Sequence, residues 1–206
     1  GQTPLSRSCC NAAIGACARG SNWSLAIAFL GRSVSDGVSV KLELSSPDAV
    51  SYASVIDACA RAAQWERSLA LLQEAFDMKL PSGAAVGAAM GAVGAERAGQ
   101  WQRALPLLAR AREMRLATNA AVLNATMAAL GTGSQWESVL QILDGMKKDG
   151  PLPNSISFNS TMASCSAAGK WQAGAGLFED MQAQKLVPTA ISYTTLMGAY
   201  GRANSW

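Results

Sequence analysis

Four arginines share one register in this sequence: Arg19, Arg61, Arg97 and Arg202 each stand four residues ahead of a tryptophan. A cation repeated at a fixed register suits a polyanion, because a row of guanidinium groups can pair with successive phosphates. The plainer reading is that an arginine closing a helix offsets the helix dipole. Catalytic chemistry is poorly provided for. The chain has no histidine, which removes Ser-His-Asp and Cys-His catalysis and the usual zinc hydrolases. Its five cysteines, Cys9, Cys10, Cys17, Cys59 and Cys165, make no CxxC pair and no metal-ligand series. Cys17, Cys59 and Cys165 each lie six residues before a tryptophan and read as small buried hydrophobes. No nucleotide loop, paired-carboxylate site or deaminase motif is present. The expectation is a protein that binds rather than catalyses, with no cofactor and no metal.

The elements that must carry these residues follow from composition and period. The chain has 206 residues, 50% hydrophobic and 15% charged, enough apolar material for a folded core. Gly and Ala are abundant and aromatics few, which favours helices packed through small side chains. The net charge of +3 is too mild to imply a polyanion by itself. An odd number of cysteines reads as reduced thiols in an intracellular compartment. Every apolar run is interrupted by charges or turn residues, so no membrane insertion is expected. No transit peptide is visible, and the abrupt start at Gly1 leaves room for a preceding segment.

Tryptophan recurs at 23, 65, 101, 136, 171 and 206, mostly about 35 residues apart. Ahead of it lie small or apolar residues at helical spacing, as in Asn11-Ala-Ala-Ile-Gly-Ala-Cys-Ala-Arg19 and Ala53-Ser-Val-Ile-Asp-Ala-Cys-Ala-Arg61. Behind it runs a second stripe, Trp65, Leu69, Leu72 and Phe76, echoed by Trp101, Leu105 and Leu108 and by Trp136, Leu140 and Leu143. Pro47, Pro81, Pro153 and Pro188 mark the exits. Each unit therefore predicts a helix, a turn, a Trp-led helix and a Pro-containing loop. Such a unit cannot bury both stripes alone, so stacked units form an all-α, right-handed α-solenoid superhelix, with first helices lining the inside. The predicted units span 7–48, 49–82, 83–119, 120–154 and 155–189, with a partial unit at 190–206. The first carries an inserted loop at 31–46, and register is uncertain by one or two residues near 81–97.

A 35-residue period fits two families of helical repeat. Here Trp opens the second helix, as in Gln64-Trp-Glu-Arg-Ser-Leu69. With Ile156-Ser-Phe-Asn-Ser-Thr-Met162, Ile191-Ser-Tyr-Thr-Thr-Leu-Met197, Leu177-Phe-Glu-Asp-Met181 and Val187-Pro-Thr189, the chain resembles the pentatricopeptide repeat family along nearly its whole length. That resemblance implies single-stranded RNA as partner, one base per repeat read by two or three side chains, and a mitochondrial or chloroplast setting. It implies that the base is read by the residue twelve before each Trp together with the last residue of the repeat. The implied pairs are Asn11 with Asp48 (like uridine-preferring pairs), Asn124 with Asn154 (like pyrimidine-preferring pairs) and Asn159 with Thr189. Thr194 would begin a sixth. Ala53 with Ser82, and Gly87 (or Ala89) with Asn119, depart from the pattern, since Ala and Gly have no side-chain donor or acceptor. The resemblance also implies that Val50, Ile156 and Ile191 flank bases, while Ser8 and Ala121 do not match.

Two functions follow as expectations. The leading one is non-catalytic single-stranded RNA binding in organellar RNA processing or translation, with the arginine row on phosphates. The alternative is a scaffold subunit that uses the same superhelix to hold proteins in a large organellar assembly.

Overall fold

The computed structural model describes residues 7–20, 22–30, 47–95, 100–114, 116 and 119–202. Its helices run α1 (Arg7–Arg19), α2 (Trp23–Phe29), α3 (Ala49–Arg61), α4 (Trp65–Asp77), α5 (Gly83–Ala95), α6 (Ala104–Glu113), α7 (Ala120–Thr132), α8 (Trp136–Asp149), α9 (Ser155–Ala167), α10 (Trp171–Ala183) and α11 (Ala190–Arg202). A 3₁₀ turn, Gln100–Arg103, leads into α6 and holds Trp101. There is no strand among the described residues. The inserted loop at 31–46, Arg97 and Trp206 lie outside them.

Odd-numbered helices are the first members of each pair, and their starts are set by side-chain caps. Asp48, Ser82, Asn119, Asn154 and Thr189 each accept a hydrogen bond from a backbone N–H three residues on, satisfying one of the amides that a helix start leaves free. α3, α7 and α9 reverse into their partners through a residue two before the tryptophan with positive φ, +56° at Ala63 and Ser134 and +70° at Gly169. Ala and Ser are strained there and Gly is not.

First helices form a close inner layer. α1, α3, α5, α7, α9 and α11 pack side by side in that order, with Cα atoms of neighbours within 8 Å. Small residues permit this: a methyl built on Gly94 would sit 3.1 Å from the backbone N of Ala129. No two second helices approach so closely among the described residues. Tight spacing inside and wide spacing outside bends the stack into a solenoid. The outer layer is joined by side chains instead. Arg110 bonds Asp77 at 3.1 Å and Lys147 bonds Asp180 at 2.8 Å, each across neighbouring repeats. Arg67 lies 4.0 Å over the Trp23 ring and Arg103 5.4 Å over Trp65, so half-buried tryptophans also take a cation from the next repeat.

The buried stripe of the second helices corrects one expectation. The positions three and ten after Trp are buried throughout: Ser68 and Ala75, Ala104 and Ala111, Val139 and Met146, Gly174 and Met181. Leu72, Leu108 and Leu143, seven after Trp, join them. The fourth position, predicted as core, is on the edge. Leu69 is buried, Leu140 only half-buried, and Leu105 is 40% exposed. The open spacing of the outer layer is the reason. Grooves of about 530 Å³ and 450 Å³ run between α4 and α6 and between α8 and α10, and Leu69 and Leu140 line them.

Candidate nucleic-acid interface

Each closing residue of a repeat is the N-cap of the next first helix, so it meets the fifth residue of the preceding first helix across the junction. At the first junction the Asn11 amide donates to the Asp48 carboxylate at 3.2 Å. At the fourth, Asn124 Nδ2 donates to Asn154 Oδ1 at 3.2 Å, and at the fifth, Asn159 Nδ2 donates to Thr189 Oγ1 at 3.3 Å. Thr194 is exposed and donates to the Ile191 carbonyl of its own helix. Counted from the helix start at Gly83, the third-repeat counterpart is Gly87, not Ala89.

A third residue completes each pair and was not anticipated. Ser51, Ser157 and Ser192 donate to the Asn carbonyl oxygens at 2.6, 2.7 and 2.7 Å. Their spacing was visible as a serine three residues after each closing residue and fourteen before a tryptophan. Once the carbonyl oxygen accepts from Ser and Nδ2 donates to the cap, each amide retains one N–H and one carbonyl lone pair. That is a donor beside an acceptor, the pattern needed to pair with a base edge. Burial alone would raise the Asp48 carboxyl. The Ser51 backbone N–H, the Ser51 hydroxyl, the Asn11 amide and the Val50 N–H outweigh it and hold Asp48 below the usual carboxylate range.

The second and third junctions keep a polar cap, Ser82 or Asn119, and are otherwise apolar. Ala85 takes the serine place beside Ala53, and Val122 takes it beside Gly87, with both Ala85 and Val122 buried. A methyl on Gly87 would lie 3.5 Å from Val122 Cγ2, so these two positions face each other. Val50, Ile156 and Ile191, the second residues of their helices, are 59%, 61% and 63% exposed. Apolar side chains that open at one register are available to flank a flat ligand. Ala121 is exposed but offers little surface.

The arginines occupy unequal settings. Arg19, Arg61 and Arg202 end α1, α3 and α11. Arg19 is exposed, and Arg61 pairs with Asp57 one turn back at 2.9 Å. Arg202 donates to the Ser166 hydroxyl of the neighbouring first helix.

Comparison with known proteins agrees with this architecture. The PPR repeat family matches residues 153–202, and the PPR repeat matches residues 50–79. The crystal structure of the maize pentatricopeptide repeat protein PPR10 superposes with a TM-score of 0.71 at 26% identity over 96% of this chain. Residues 50–79 and 153–202 are pentatricopeptide repeats, and the chain as a whole shares the fold of a pentatricopeptide repeat protein. It spans 27% of the length of PPR10. The same maize protein, in complex with an 18-nt psaJ RNA element, matches with a TM-score of 0.70 at 25% identity, over 94% of this chain and 27% of that one. The PPR domain of Arabidopsis thaliana protein-only RNase P 1, in complex with tRNA, matches at 0.63 and 14% identity, over 72% of this chain and 78% of that one, a likeness of fold alone. No curated protein matches the sequence. Among the described residues, no helix is long and apolar enough to cross a membrane, and no cluster could hold a metal ion.

Proposed function

We propose that this chain is a non-catalytic, single-stranded RNA-binding array that reads bases at its first, fourth and fifth junctions and passes over the second and third. One observation carries the reading: the same hydrogen-bonded Asn, cap and Ser set recurs at three junctions, each amide keeping a free donor and acceptor. Exposed aliphatic side chains at one register and RNA-bound structural relatives support it. With one base per repeat, preference falls at three nucleotides separated as one, a gap of two, then two. Asn11 with Asp48 would favour uridine, and the pairs Asn124 with Asn154 and Asn159 with Thr189 pyrimidines. Arg19, Arg61, Arg97 and Arg202 would meet phosphates, and the setting would be an organelle.

The test is RNA affinity against salt for the wild type, the fourfold arginine variant and Asn124→Ala. Loss of four phosphate contacts should weaken binding to every sequence and flatten the log–log salt slope by up to about 0.7 per contact. Asn124→Ala should relax preference at one base and leave the slope unchanged. A wild-type chain that binds no single-stranded RNA at low salt refutes the reading, and the solenoid then serves protein partners.

A further inference from the structure

We infer that Ser51, Ser157 and Ser192 are positioning residues that fix which face of each junction asparagine is presented to a base. The inference rests on the RNA-binding reading and adds residues that cannot themselves touch RNA, since all three serines are buried. An asparagine amide has two orientations related by a half-turn, and they exchange the donor and acceptor offered to a ligand. A reader that samples both would accept complementary patterns.

The serine and the cap side chain remove that freedom together. At each junction its oxygen accepts from the backbone N–H of the cap residue, at 3.3 Å from Asp48, 3.2 Å from Asn154 and 3.0 Å from Thr189. Its proton has two oxygens within reach, the asparagine carbonyl at 2.6–2.7 Å and the cap side chain at 2.9 Å from Asp48, 3.2 Å from Asn154 and 3.3 Å from Thr189, and the carbonyl is the nearer at every junction. The cap side chain accepts from Nδ2 on the other side. At Asp48 and Asn154 the cap oxygen only accepts, so a turned-over amide would set its carbonyl oxygen against it and take away the serine's nearer acceptor. At Thr189, whose hydroxyl can also donate, the short bond from Ser192 alone favours the orientation seen.

Ser51 and Ser157 also complete capping boxes, but capping alone does not require the serine. At the second and third junctions, Ser82 and Asn119 still cap their helices, through Ala85 N at 3.2 Å and Val122 N at 3.0 Å. They do so with Ala85 and Val122 in the serine place. The serine is present where the preceding repeat supplies Asn and absent where it supplies Ala53 or Gly87. It therefore follows the residue across the junction and not the cap beside it.

The experiment measures binding of the intact chain to four RNAs that differ at a single nucleotide, repeated for each read nucleotide, with thermal unfolding recorded for every variant. Ser157→Ala should reduce discrimination at the nucleotide read by Asn124 by roughly two- to tenfold, the worth of one net hydrogen bond. Discrimination at the nucleotide read by Asn11 and the salt slope should stay unchanged, which a general loss of folding would not allow. A graft gives an independent arm. Ala53→Asn alone should create little base preference at the second junction, and Ala53→Asn with Ala85→Ser should create a clear one. Full discrimination in Ser157→Ala, or equal discrimination by the single and double grafts, overturns the inference. Absence of wild-type RNA binding overturns the functional reading beneath it instead, so the two failures are distinct.

Discussion

Truncating Leu143 tests where the core of the outer layer lies. Leu143 on α8 is 1% exposed, so Leu143→Ala removes about three buried carbons, roughly 2.4 kcal/mol at about 0.8 kcal/mol per group. A residual cavity would add to this. Leu143 also lines the groove between α8 and α10, however, so the new space opens toward solvent and the addition stays small. The expected loss is about 3 kcal/mol. The half-buried Leu140 should cost about 1–1.5 kcal/mol on truncation, and Leu105, 40% exposed, less than about 1 kcal/mol. Urea unfolding gives the totals, and amide hydrogen exchange locates them. Because each repeat contacts only its neighbours, protection should fall in α7–α10 and hold in α3. A Leu105→Ala loss as large as that of Leu143→Ala would refute a core centred three, seven and ten residues beyond the tryptophan.

Other outcomes follow from single contacts. Gly133→Ala should destabilise the chain by about 1–3 kcal/mol, because the added methyl would lie 2.2 Å from the Trp101 ring; calorimetry should show the loss, and Trp101→Leu should absorb much of it. Asp57→Asn frees Arg61 from its ion pair, so single-strand affinity should rise and the salt slope steepen by up to about 0.7, measured by titration at several salt concentrations. Cys59 has its pKa pushed up to about 11 by burial, against a smaller opposing effect of the Arg67 charge. Its thiol therefore stays protonated in the folded chain well above neutrality, and alkylation at pH 8–9 should wait for unfolding while exposed Cys9 reacts at once.

Much of this architecture is legible in the sequence because it is periodic. A rare tryptophan near every 35th residue reports helix starts that the structure places at Trp23, Trp65, Trp136 and Trp171, and within a 3₁₀ turn at Trp101. What escaped depends on relations between repeats. Ser51, Ser157 and Ser192 read locally as first-turn capping residues, and the partner that gives each its second role lies 33–40 residues earlier. Leu105 escaped for a related reason: helical periodicity gives the direction of a stripe but not how far the neighbouring helix stands off. The pairing of Arg61 with Asp57, four residues apart on one helix, was readable, and it distinguishes one member of a row that looks uniform by register alone.

The way each proposed reader straddles a junction bears on how specificity could be exchanged. A complete set runs from the asparagine to the serine, as in 11–51, 124–157 and 159–192, so the inheritable unit is offset from the structural repeat. Joining two arrays in a loop, where backbone insertions are usually best tolerated, would separate Asn124 from Asn154 and Ser157 and scramble the base preference of a chain that still folds. Between the fourth and fifth junctions the one seam that keeps both sets whole is Phe158, buried in the first turn of α9, while the second and third junctions leave residues 52–123 with no set to break. Exchange that keeps the sets of the fourth and fifth junctions must therefore cut through the close-packed inner layer at Phe158, whereas joining after α3 or α4 should leave all three sets whole.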